Sequence, residues 1–238
     1  MIPKKIHYCW FGHGEKPKLA KKCIASWKKY CPDYEIIEWN EDNFDVNMNP
    51  YTQMCYEQKK YAFLSDYVRL LVVYEHGGIY FDTDVEVVQN IDFLLSDEAF
   101  IGCEIDGTDE KNGIVNTGQG FGSTTKSLAV KAMLEEYNML LDGKHGTVGC
   151  PIANTQAMIS MGLKSGKEIQ KLQHVTIYPS EYFNPYESTT GRLNKTNNTV
   201  SIHWYNGSWL SVTQRMKGKF SKPLHRILGI LYFQKYRK

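Results

Sequence analysis

The chain has 238 residues, of which 42% are hydrophobic, 23% charged and 13% aromatic, with a formal net charge of +2 at pH 7. That length suits one hydrophobic core and is short for two full-sized domains, and the composition excludes a disordered, collagen-like or coiled-coil chain. No apolar run approaches the roughly 20 residues of a membrane-spanning helix. The start, Met-Ile-Pro-Lys-Lys-Ile-His, lacks the apolar segment and cleavage site of a secretory signal, so a cytoplasmic protein is expected. Six cysteines without a CxxC pair read as reduced thiols rather than as a disulfide framework or a zinc ribbon.

In chain order, Lys5 to Phe11 predicts a first strand closed by Gly12 and Gly14; its His7 and Cys9 fit one strand face better than a metal cluster with His13. Pro17 to Tyr30 predicts a helix with Pro at its first turn and Leu19, Cys23, Ile24 and Trp27 on one face. Tyr34 to Trp39 reads as a second strand, followed by helices over Tyr51 to Lys60 and Ser65 to His76, the latter capped by Ser65 and stopped by Gly77-Gly78. Ile79 to Val88, rich in β-branched and aromatic residues, predicts one continuous strand. Further strands are expected at Phe100 to Glu104, Val175 to Pro179 and Thr199 to Trp204, and helices at Ser127 to Leu141, capped by Ser127, and at Asn154 to Met161. Alternating strands and helices followed by a mixed second half predict an α/β sandwich around a mainly parallel sheet.

Charge is distributed unevenly. Residues 1 to 187 hold all 26 acids against 18 Lys and Arg, a net of −8, whereas residues 188 to 238 hold 10 Lys and Arg and no acid. Residues 1–210 are therefore read as the folded domain and 211–238 as a basic amphipathic tail, in which Arg215, Lys217, Lys219, Lys222 and Arg226 alternate with Phe220, Leu224, Ile227 and Leu228. Two readings of the tail stand side by side: a helix on an anionic membrane surface, and a solvated helix packed on the domain. Nucleic-acid binding is disfavoured by the acidity of the other four fifths.

Candidate chemistry concentrates in Ser65 to Glu86. Asp82 and Asp84 lie two residues apart where a hydrophobic strand ends, and on extended backbone both would face one side, able to converge on a hard divalent cation such as Mg²⁺ or Mn²⁺. Asp66 and Arg69, three apart, share a helix face; they form either a local ion pair or a grip on ligand hydroxyls and phosphate.

The segment YAFLSDYVRLLVVYEHGGIYFDTDVEVV resembles the signature of DxD glycosyltransferases of GT-A fold, in particular the retaining bacterial capsule and fungal mannosyltransferase family, and more distantly the glucosyltransferase domains of large clostridial toxins. IPKKIHYCWFG resembles the same family's opening strand and SIHWYNGSW its closing signature. The resemblance implies a GT-A fold and transfer of a sugar from a nucleotide-sugar donor, with UDP-hexose or UDP-N-acetylhexosamine favoured, and with retention of configuration. It implies that Trp10 stacks on the base, that Ser65, Asp66 and Arg69 contact ribose, sugar and diphosphate, that Tyr80 and Asp82 face the donor, and that Asp84 binds Mn²⁺ or Mg²⁺. In the closing segment it assigns Ser208 and Trp209 to the β-phosphate, with Ser208 also near the metal; His203 or Asn206 completes the metal set. Asn116 and Asn154 are acceptor-side candidates, explained equally by turn chemistry. The expected acceptor is a lipid-linked oligosaccharide at the inner face of the plasma membrane, in capsule or exopolysaccharide synthesis. The competing readings are a non-catalytic nucleotide-sugar or glycan binding module and an aspartyl-phosphate phosphohydrolase; Glu86 departs from the latter's pattern.

Overall fold

The computed structural model of the chain describes residues 1–207. The basic tail and the candidates Ser208 and Trp209 lie outside the described residues. In order, the elements are β1 (Lys5–Cys9), α1 (Lys18–Tyr30), β2 (Glu35–Trp39), α2 (Pro50–Glu57), α3 (Tyr61–His76), β3 (Gly78–Tyr80), β4 (Val85–Val87), β5 (Ala99–Ile105), β6 (Ile114–Val115), β7 (Phe121–Ser123), α4 (Leu128–Glu135), α5 (Cys150–Ser160), β8 (Gln170–Lys171), β9 (Thr176–Tyr178), α6 (Ser180–Phe183) and β10 (Ser201–His203).

The central sheet has the order β2-β1-β3-β7-β5-β9-β8, with β6 paired to β5. β2, β1, β3, β5 and β9 run in one direction; β7, inserted between β3 and β5, runs against them, as do β6 and β8. The sheet is thus mainly parallel, with apolar cores on both faces, as sheets built from crossover connections require. One core packs α2, α3, α4 and α5 around Leu64, Val68 and Tyr137; the other packs α1 around Trp27, Phe81 and Phe183. Because β1, β2 and β3 point the same way, their C-terminal ends and the loops that follow gather at one sheet edge, where open α/β sheets bind ligands.

The continuous strand expected over residues 79–88 is divided. β3 ends at Tyr80, the chain turns at Asp82–Asp84 with the Val85 amide donating to the Asp82 carbonyl (3.0 Å), and β4 then pairs antiparallel with β10, outside the central sheet. The two carboxylates therefore converge through a turn rather than through strand alternation. Ser65 is not a cap: α3 begins four residues earlier at Tyr61, because the apolar face of Leu64 and Val68 continues back to it. Ser127 occupies the N-cap position of α4, but its side chain makes no capping bond. The helix expected to Leu141 ends at Glu135, with a separate 3-10 turn at Asn138–Leu140. α5 starts at Cys150, ahead of the expected Asn154, since Pro151 is well suited to a first helical turn.

Gly77 and Gly78 carry φ of +63° and +104°. The pair turns the chain from α3 into β3 where a Cβ on Gly78 would stand 2.9 Å from the Lys5 carbonyl oxygen.

Candidate functional site

α3 delivers Asp66 and Arg69 to the sheet edge from below. The guanidinium is 3% exposed and lies 2.9 Å from Asp66 Oδ1 and 2.9 Å from Asp82 Oδ1. Its Nε donates to the Ser65 carbonyl (3.1 Å), and the group lies over the Tyr80 ring at 4.9 Å. Arg69 is thus a buried cation clamped between two carboxylates, joining α3 to the DxD turn. Burial pushes the Asp66 carboxyl up to about 6 against the pull of Arg69, and burial likewise raises Asp82. Tyr80 is itself buried, and its hydroxyl donates to Asp82 Oδ1 at 3.0 Å. With Oδ1 of Asp82 taken by Arg69 and Tyr80, Oδ2 is the oxygen left to face a ligand.

Asp84 and His203 meet above this hub. His203 Nε2 is 3.3 Å from Asp84 Oδ1, and the Asn206 backbone amide donates to Asp84 Oδ2 at 2.7 Å. Burial pushes Asp84 up, but His203 and this amide outweigh it and hold the carboxyl below its ordinary value. Burial pushes His203 down, and Asp84 more than compensates, so its imidazole is raised. Single ligand atoms of Asp82, Asp84 and His203 all lie within 4.8 Å of one another, and this is the one such group among the described residues. Two carboxylates and an imidazole at that spacing match the donor chemistry of a divalent cation. Of the two candidates for completing the set, His203 brings a side chain to the carboxylates and Asn206 a backbone amide.

Trp10 follows β1 at the same edge, half-buried, at the rim of a cavity of about 240 Å³ also lined by Lys16, Glu38, Asn40 and Glu41. Lys16 Nζ lies 5.6 Å from its ring centre. Asn116 is spoken for by its neighbours: Nδ2 donates to Glu104 Oε2 (2.9 Å) and Oδ1 accepts from the Gly118 amide (2.7 Å). Asn154 is fully buried, donating to Thr117 Oγ1 at 2.8 Å, with no partner for its Oδ1 among the described residues. Both therefore support the floor of the site. The His7, Cys9 and His13 alternative is not assembled: His7 Nδ1 accepts from Trp39 Nε1 (3.0 Å) and its Nε2 donates to the Gly77 carbonyl (2.8 Å).

Reading the sequence missed Glu104 and Tyr205 as site components, whereas the loops holding Thr117 and Cys150 resemble acceptor-side loops of the family. The Cys150 amide donates to Asp66 Oδ2 (3.3 Å), and Arg69 Nη1 is 3.5 Å from Thr117 Oγ1. Glu104 had a usable signal, an acid near the C-terminal end of a predicted strand.

Comparisons with known proteins bear on this geometry. The family described as glycosyltransferase sugar-binding region containing DXD motif matches residues 17–101, which include Asp66, Arg69, Asp82 and Asp84. The chain is similar to inositol phosphoceramide mannosyltransferase 3 of Schizosaccharomyces pombe (31% identical over 108 residues, 42% of this chain and 29% of that protein). It is also similar to subversion of eukaryotic traffic protein A of Legionella pneumophila (26% over 130 residues, 40% of this chain and 20% of that protein). The matched part spans less than a third of either relative. Among solved structures, PaToxG glycosyltransferase superposes with a TM-score of 0.51 at 22% identity, covering 67% of this chain and 69% of that one, a likeness of fold. Residues 17–101 thus match the DXD-containing sugar-binding region of glycosyltransferases, on a GT-A fold.

Proposed function

We propose that this chain moves a sugar from a nucleoside-diphosphate donor, UDP-hexose or UDP-N-acetylhexosamine, to a glycan acceptor, with Mn²⁺ or Mg²⁺ and with retention of anomeric configuration. The observation that carries this reading is the meeting of Asp82, Asp84 and His203 at the sheet edge, above a guanidinium already neutralised from both sides. Bare carboxylates repel a diphosphate, so an acid pair at a nucleotide-sugar site makes sense with a cation between. A divalent ion held there supplies charge neutralisation to the departing diphosphate, an effect worth several kcal/mol in such sites.

The chain's own residues do the positioning. Arg69 holds Asp82 and Asp66 in place, Tyr80 fixes the Asp82 rotamer, and Trp10 offers a ring for the base beside its cavity, where stacking is worth about 1–3 kcal/mol. In front-face attack, the acceptor oxygen bonds to the anomeric carbon as the diphosphate oxygen leaves and takes the acceptor's proton, so no dedicated base is required. Lipid acceptors fit the basic composition of residues 188–238 and the printed names of the fungal relatives, which record mannosyl transfer to inositol phosphoceramide. We place the activity at the cytoplasmic face of the plasma membrane, in capsule or exopolysaccharide assembly.

The decisive experiment is metal-dependent turnover of a panel of UDP- and GDP-sugars followed by mass spectrometry, with the product's anomeric configuration read by NMR. Slow hydrolysis of one donor with Mn²⁺, abolished by chelator, is expected. Binding without any turnover would replace the enzyme with a nucleotide-sugar binding module. Flotation with anionic but not neutral vesicles would support the membrane placement.

A further inference from the structure

Metal-binding histidines usually donate their second ring N–H to an acceptor, which fixes the ring's orientation. His203 departs from that habit. Its Nε2 faces Asp84, while its buried Nδ1 has no hydrogen-bond partner among the described residues. The ring is held by a face instead: Tyr205 stacks on it with centroids 4.1 Å apart and an interplanar angle of 30°.

Tyr205 is fixed at both ends. Its backbone sits in the left-handed region at φ +48°, which a bulky residue adopts at a cost of about 1–3 kcal/mol unless its surroundings impose it. Its hydroxyl donates to Glu104 Oε1 at 3.2 Å, and Glu104 Oε2 accepts from Asn116 Nδ2 at 2.9 Å. Asn116 Oδ1 accepts from the Gly118 amide (2.7 Å), and the Gly118 carbonyl accepts from the Asp82 amide (2.9 Å). The contacts form a belt running from Asp82 through Gly118, Asn116, Glu104 and Tyr205 to His203, which closes on Asp84 beside Asp82. It ties the β5 end and the segment after β10 to the DxD turn.

We propose that Glu104 and Tyr205 are positioning residues that set the His203 imidazole in the cation site, and that this placement gives the site its preference for Mn²⁺ over Mg²⁺. This rests on the metal reading of Asp82, Asp84 and His203. The physical reason is ligand softness: an imidazole in place raises affinity for Mn²⁺ far more than for Mg²⁺, which is satisfied by carboxylates and water. A displaced ring leaves a two-carboxylate site that discriminates poorly.

The test is direct cation binding to the full chain without donor, reading free Mn²⁺ by electron paramagnetic resonance and Mg²⁺ by competition. Tyr205→Leu removes the stack, Tyr205→Phe keeps it and cuts the tether to Glu104, and Glu104→Gln leaves one acceptor oxygen for two donors. Outer-shell changes of this kind cost roughly 10–100-fold in metal affinity. We expect Tyr205→Leu to lose at least tenfold in Mn²⁺ affinity with Mg²⁺ changed less than threefold. Tyr205→Phe and Glu104→Gln should each lose a smaller factor, and their combination no more than either alone. Parallel loss of both metals in every variant would mean a general structural defect and overturn the proposal. So would unchanged Mn²⁺ affinity in Tyr205→Leu while His203→Ala weakens it. If the wild-type chain binds neither ion, the metal reading itself falls and takes this inference with it, an outcome distinct from the other two.

Discussion

Asp84 is the residue on which the site's chemistry is most concentrated, because both of its oxygens are directed: one to His203, one to the Asn206 amide. Asp84→Asn keeps the size and the backbone contact but removes the charge that a cation and His203 answer to. Turnover should fall at least 100-fold, with the far-ultraviolet circular dichroism and the unfolding midpoint close to wild type; near-normal turnover would remove Asp84 from its role. Gly118 supports a second prediction. A Cβ there would overlap Asp82 Oδ2 and stand 2.9 Å from Arg69 Nη1, inside the polar hub, where nothing flexible can yield. Gly118→Ala should destabilise the fold by about 1–3 kcal/mol in urea titrations, as over-packing does, and weaken Mn²⁺ binding by displacing Asp82. A merely tight loop would show the first effect without the second.

Among the elements, those that carried their own local signal were legible: α1 from its apolar stripe, β5 and β9 from β-branched and aromatic runs, and the end of α3 from Gly77-Gly78. The DxD pair and the Asp66–Arg69 pair were legible for the same reason, being close in sequence. What sequence could not show was pairing. β6 and β7 are two and three residues long, too short for any period, and β7 contains a glycine. The division of residues 79–88 between two sheets depends on β10, more than 100 positions away, which captures β4. Asn116 looked like a turn residue because its partner, Glu104, is defined only once β5 and β6 pair. α1 illustrates how an element acts on the site at a distance. Trp27 is fully buried, packs edge-on against Tyr8 and tilted against Phe81, and its indole N–H donates to the Val85 carbonyl (2.8 Å), one residue from Asp84. Trp27→Ala should cost about 3–5 kcal/mol by chemical denaturation and lower Mn²⁺ affinity at temperatures where the variant remains folded. The milder Trp27→Phe, which keeps most of the volume and loses the hydrogen bond, should show the same two effects at smaller size.

At the scale of the whole molecule, two buried titratable groups pull stability in opposite directions with pH. His7 sits in β1 with both ring nitrogens used, and burial drives its imidazole down from 6.5 to about 4, with His76 and Lys5 nearby adding to the effect. A depressed imidazole means that the unfolded chain takes the proton first. Its contribution is therefore complete above pH 6.5 and is lost as pH falls through 4, up to about 3 kcal/mol. Asp66 runs the other way: burial raises it from 3.8 to about 6, so its contribution is complete below 3.8 and is lost as pH rises through 6. Between pH 4 and 6 the two slopes oppose each other. His7→Gln retains a donor for Gly77 and an acceptor for Trp39 but does not titrate, so relative to wild type its stability should fall as pH rises across that window. Asp66→Asn removes the opposing term, and its stability should rise over the same interval relative to wild type. Urea midpoints of the three proteins at half-unit steps from pH 4 to 7 would display the divergence; parallel curves would mean that neither group is held in the protonation state that its surroundings impose.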